Sequence, residues 1–182
     1  MNRRGFTVVE LVIVITIMGI LLVLGVVNLR TAQASGRDSE RKSDVETIAN
    51  LLDSYYKTGL VSGVVTITAG TYPTTIIATS GVEYMEAALN DIDIDALKAP
   101  GITDPTQTFV AATNNVQTAS GVLGPSNQPP TINQYVYQPI RSNDALCTGT
   151  DECRKFNIYV RLEGDYGAGA GNTIYTITSK NQ

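Results

Sequence analysis

Apolar positions fall into three regimes along this chain. From Phe6 to Leu29 apolar or small residues run without a polar face, broken only by Glu10, the neutral polar Thr7 and Thr16, and Asn28. A helix over 6–29 is about 36 Å long at 1.5 Å per residue, and a hydrocarbon core is about 30 Å thick, so the stretch can span a membrane. Over 30–59 the pattern turns amphipathic. Val45, Ile48, Leu52 and Tyr55 or Tyr56 recur at three- and four-residue spacing and define one apolar face, with charges on the other. Ser35-Gly36 is a candidate bend, but the chemistry from Arg37 to Glu46 is helical again. Asp38–Lys42 and Asp53–Lys57 are i,i+4 pairs worth a few tenths of a kcal/mol each, and Gly59 is the expected C-cap. One long helix is predicted, apolar all round in its first half and amphipathic in its second.

After Gly59 the period changes. Val61–Thr68 is rich in Val, Thr and Ile. Ile132–Ile140, Lys155–Glu163 and Asn172–Ser179 alternate or carry β-branched and aromatic residues, which predicts strands. Phe156, Ile158, Val160 and Leu162 share one strand face, Tyr159 and Arg161 the other. Val82–Leu89 is a candidate short helix, 99–131 reads as mostly loop, and 163–171 reads as a flexible turn. A long helix followed by several antiparallel strands is an α+β arrangement, with the helix stripe lying on one face of the sheet.

Charge orients the first helix. Arg3 and Arg4 precede it and keep that end cytoplasmic, which places everything after Leu29 outside. Three readings of the helix compete. A secretory signal has an apolar core of about 7–15 residues and a small-residue cleavage site. Ala32-Gln33-Ala34 supplies such a site, but the apolar run is too long and Glu10 is out of place. A plain single-span anchor fits the length and leaves Glu10 unexplained. In the third reading, Gly5-Phe6-Thr7-Val8-Val9-Glu10-Leu11 resembles the type IV prepilin processing motif, in which a basic leader ends in Gly before Phe-Thr-x-x-Glu.

That resemblance implies cleavage after Gly5 on the cytoplasmic side, methylation of the new N-terminus at Phe6, a pilin fold, and polymerisation through the helix. It also implies a partner for Glu10. An ionised side chain at the bilayer centre costs a few kcal/mol on insertion scales; Glu10 lies about 6 Å along the helix from Phe6, where the penalty is smaller. Packed among apolar helices it needs a cation, and the amine of a neighbouring subunit's Phe6 is the natural candidate. Such a pair adds little net stability and strongly penalises the wrong register. Many family members carry Pro at the position of Val27, a pattern from which this chain departs. Gly19 and Gly25 each lower helix stability by up to about 1 kcal/mol relative to Ala. Two readings of them stand: a hinge, with Gly19 matching a family glycine where some filaments melt, or close packing between helices.

Composition removes other functions. Charged residues make up 16% of the chain, net charge is -4, and no basic cluster suggests a nucleic-acid site. Residues 30–59 hold five acids and five bases; 60–182 hold eleven acids and six bases, a mildly acidic head. The charges at 37–44 read as a solvated face or a contact with neighbouring subunits. The absence of histidine excludes Ser–His and Cys–His nucleophiles and imidazole ligands. Cys147 and Cys153, close together behind an export segment, read as a disulfide worth about 2–2.5 kcal/mol, with two free thiols as the alternative. Asp91-Ile92-Asp93-Ile94-Asp95 fails as a calcium loop, because Ala96 and Ile102 stand where Gly and Glu are needed. Asp151, Glu152 and Asp165 are conceivable calcium ligands, but no metal site and no cofactor is expected. The glycines at 167–171 precede no Lys-Ser/Thr, and Gly-x-Ser-x-Gly is absent, so no enzyme is expected.

The expectation is a structural subunit of a type IV pilus or pilus-like filament. Its segments are a leader (1–5), a membrane and filament-core helix (6–29), an amphipathic continuation (30–59) and a β-rich head (60–182). Expected partners are copies of itself and other pilins, a prepilin peptidase and N-methyltransferase, a membrane-embedded assembly platform, and the lipid bilayer before assembly. Its place would pass from the inner membrane, head outside, to a pilus on the cell surface. The alternatives are a pseudopilin of a type II secretion or DNA-uptake apparatus, and a membrane-anchored extracellular binding domain that never polymerises.

Overall fold

The computed structural model describes residues 6–164 and 173–181. Gly5, Asp165 and the glycines at 167–171 lie outside the described residues. Helix α1 (Val8–Thr58) runs for 51 residues, about 76 Å at 1.5 Å per residue. It does not bend at Ser35-Gly36; the helix passes through both residues unbroken. It stops at Gly59, whose φ of 71° lets its N–H reach the Tyr55 carbonyl at 2.7 Å. A Cβ at Gly59 would lie 2.8 Å from the Ile67 carbonyl oxygen, so the turn needs glycine on two counts.

Beyond α1, the expected Val61–Thr68 strand is instead a hairpin, β1 (Leu60–Ser62) and β2 (Val65–Ile67), turned at Gly63. Two short helices follow, α2 (Ile76–Thr79) and α3 (Val82–Ala88). The main sheet contains β3 (Phe109–Ala111), β4 (Tyr135–Ile140), β5 (Lys155–Arg161) and β6 (Ile174–Thr178), in that order. β4, β5 and β6 are antiparallel neighbours, but β3 pairs parallel to β4, so the sheet is mixed. β3 and the helix before it, α4 (Pro105–Thr108), lie inside the 99–131 stretch read as loop. Three residues are too few for alternation to register, and the hydrogen bonds that make them a strand come from β4.

The α+β architecture follows from one stripe. Val45, Ile48, Ala49, Leu52 and Tyr55 of α1 are buried in one cluster with Tyr135 and Tyr137 of β4 and Phe156, Ile158 and Val160 of β5. Each fully buried aliphatic or aromatic side chain contributes about 1.5–3 kcal/mol. The far face of the sheet is covered as well: Tyr159, Val136, Val110 and Val122 form a second cluster. Gln138, buried there, donates to the Asn114 and Val116 carbonyls and accepts from Asn157 and Tyr159, which holds the segment before Val122 against the sheet.

Cys147 and Cys153 are joined by a disulfide, Cα atoms 5.7 Å apart, in the main core. The bridge pins the β4–β5 connection, and that connection holds residues 72–75: Tyr72 N–H donates to the Cys153 carbonyl and Thr75 N–H to that of Cys147. Neither expected i,i+4 pair forms among the described residues. Asp38 pairs with Arg41, and Asp53 accepts from the Tyr72 hydroxyl at 2.8 Å and the Lys180 N–H at 3.2 Å. A carboxylate turned toward the head gains partly buried partners, which outweigh an exposed pair on the helix surface.

Candidate functional site

The first half of α1 leaves the head without support. Every described side chain from Phe6 to Gln33 is exposed, Phe6 by 83%. No residue of its most apolar window is buried, so this is not a core helix of the head. By length and composition it is able to cross a membrane. Burying apolar surface contributes about 25 cal/mol per Å², and the described residues of the head provide none of that burial. A Cβ at Gly19 or Gly25 would have no neighbour within 4 Å. Close packing at either glycine therefore requires another chain.

Glu10 sits in the first turn and is used locally. Thr7, extended at φ -84° and ψ 150°, caps the helix: its hydroxyl oxygen accepts from Glu10 N–H at 3.2 Å. In return Glu10 Oε2 accepts from the Thr7 N–H and the Thr7 hydroxyl, each at 2.9 Å. This reciprocal capping box satisfies two backbone donors, and a negative charge suits the positive end of the helix dipole. Oε1 of Glu10 carries no hydrogen bond among the described residues. Thr-x-x-Glu before an apolar run is itself a helix-start signature, so the sequence carries a local signal for this cap beside the expected partner across chains. Phe6 lies one residue before the cap.

Of the charges at 37–44, which read as a solvated face or a contact with neighbouring subunits, Arg41 is buried and Arg37, Asp38 and Asp44 are partly buried against the head, while Glu40 stays exposed. Arg41 is 1% exposed; its guanidinium donates to the Ile132 carbonyl, Asp38 and Glu163, at 2.8–2.9 Å. Arg37 forms a fork on Glu163, and Asp38 accepts from the Glu163 and Gly164 N–H groups. The Arg37 bonds, with help from Arg41, hold the Glu163 carboxyl down to about 2 against the opposing effect of burial. Asp44 is different. Burial pushes its carboxyl up to about 6, although the Tyr135 hydroxyl donates to it at 2.8 Å. These contacts fix α1 to the sheet where the helix leaves the head.

The structure places Glu10, Gly19 and Gly25 on the unsupported first half of α1, with Phe6 just before its cap, and places Cys147 and Cys153 in the head core. The family model for the prokaryotic N-terminal methylation motif matches residues 1–26. No curated protein and no solved structure matches the chain.

Proposed function

We propose that this chain, a type IV pilin-like precursor by its methylation motif, is a structural subunit of a pilus-like filament. One observation supports this most: an exposed apolar helix long enough to span a membrane, with a single acid in its first turn, follows a matched methylation motif. The head has its own core and disulfide and leaves that helix free for another partner. In this reading a prepilin peptidase cuts after Gly5, Phe6 becomes the methylated N-terminus, and the helix rests in the membrane, head outside. An assembly platform then extracts it into a helical homopolymer on the cell surface.

Glu10 supplies register. Cleavage removes Arg3 and Arg4 and creates an amine, and the unclaimed Oε1 of Glu10 is the acceptor for the amine of an adjacent copy. A subunit docked one turn out of place leaves both charges unpaired among apolar helices, which is strongly unfavourable. Gly19 and Gly25 sit where another chain can approach the backbone or where the helix can stretch. A pseudopilin of a secretion or DNA-uptake apparatus would share this N-terminus; the disulfide-stapled head favours the pilus reading. Mass spectrometry of the mature N-terminus tests the proposal. A methylated Phe6 is expected; a start at Met1 would indicate a plain anchor, and a start at Ser35 a secreted domain.

A further inference from the structure

We infer that Thr7 is a positioning residue for assembly: through the helix cap it aims the Glu10 carboxylate at the adjacent copy. The inference deepens the filament reading and rests on it. In that reading the mature chain begins at Phe6, and the described residues include the whole of its first turns. Over 6–15, Thr7 and Glu10 carry the only polar side chains. The next hydroxyl, at Thr16, donates to the Val12 carbonyl at 2.7 Å. Thr7 is therefore the one side chain of these turns placed to hold Glu10.

The hold is made before any partner arrives. Oε2 of Glu10 accepts from the Thr7 N–H and from the Thr7 hydroxyl, both at 2.9 Å. A glutamate side chain left free samples several rotamers, and ordering it on assembly costs conformational entropy. Two bonds to one oxygen order it in advance, and bonds to an ionised acceptor are the stronger kind. Thr7 is stiff as well, because its branched Cβ restricts χ1. The carboxylate is thus preorganised, with Oε2 tied to its own chain and Oε1 left without a hydrogen bond among the described residues. Without the hydroxyl, the Thr7 N–H alone would tether the carboxylate and leave its plane free to turn.

The hydroxyl has two separable jobs. It accepts from the Glu10 N–H at 3.2 Å, which starts the helix and needs no acid at position 10. It also donates to Oε2, which needs the acid. A residue that only caps the helix would matter equally with leucine at position 10. A residue that aims Glu10 would not.

Co-assembly separates the two. A tagged variant and the unaltered chain are expressed in the same cells. Quantitative mass spectrometry then compares the variant's share of sheared filaments with its share of the processed membrane pool. Thr7→Val keeps the shape and loses both hydroxyl bonds, and its share of filaments should fall about fivefold, the size of a lost N-cap. Thr7→Ser should stay within about twofold of the unaltered chain. In a Glu10→Leu background, whose own share is already low, Thr7→Val should cause no further fall. An undiminished share for Thr7→Val, or an equal fall for Thr7→Ser, overturns the inference while the filament reading stands. A fall by the same factor in both backgrounds also overturns it and leaves Thr7 as a helix cap only. An unaltered chain that keeps its leader or forms no filaments overturns the filament reading, and this inference with it.

Discussion

The two halves of α1 share one backbone and have opposite surroundings. From Ala34 onward the helix is anchored to the head: a stripe from Val45 to Tyr55 enters the core, and Asp38, Arg41, Asp44, Glu46 and Asp53 each have a partner on the head. From Phe6 to Gln33 no described side chain is covered, and the one acid is satisfied only by the cap beside it. The difference separates two jobs. The second half belongs to folding and is complete within one chain. The first half is an apolar surface that the described head leaves uncovered, and it adds little to the stability of the head.

Substitutions along the chain should reflect that division when stability is measured by urea denaturation of the full chain in detergent. The largest loss is expected for Arg41→Ala, about 3 kcal/mol or more, because Asp38 and Glu163 would keep their charges in a partly buried site. A loss no larger than that of a surface substitution would show that the contacts of Arg41 with Asp38 and Glu163 do not fix α1 to the head. Replacing Cys147 and Cys153 together by Ala should cost about 2–2.5 kcal/mol, read as a lower denaturation midpoint under non-reducing conditions. Gly59→Ala should cost about 1–2 kcal/mol, through the left-handed φ and the crowding against Ile67.

A smaller effect is pH-dependent and confined to the second half. The folded Asp44 carboxyl is raised from 3.8 to about 6, so the folded state holds this proton more tightly than the unfolded state. Its contribution is present below pH 3.8 and is lost as pH rises through about 6. Asp44→Asn should therefore flatten the fall in stability across that window, as read by urea midpoints at stepped pH. Glu163 acts in the opposite direction: its carboxyl is lowered from 4.5 to about 2, so its stabilisation is present above 4.5 and fades as pH falls toward 2. The smallest effect is expected for Ile17→Ala, within about 0.5 kcal/mol of the parent, because that side chain touches no part of the head. A loss comparable to that of a core residue would show that the outer half is not independent.

Patterns of local period made much of this legible. The α1 stripe, the shared face of Phe156, Ile158, Val160 and Leu162, and the helix near Val82 each repeat within a few residues, and short-range repetition is what a sequence displays. β3 was hidden because its partner strand begins at Tyr135, and three residues alone have no period. Arg41 and Asp44 read as solvated for the same reason: their partners Glu163 and Tyr135 are far along the chain. Tyr159 pointed correctly away from α1, but nothing local indicated that residues around Val122 would cover it. At the candidate site, Glu10 stood out as an acid in an apolar run. The Thr7 cap is legible too, in the Thr-x-x-Glu spacing, and the capping box shows that one acid serves the helix start as well as the motif.

The decisive comparison is between Glu10→Leu and the unaltered chain, scored in the same cells for leader removal, membrane insertion and filament yield. A purely apolar first turn should be cut after Gly5 and inserted as before, while sheared filaments fall to a small fraction of the normal amount. Normal filament yield from that variant would contradict the account.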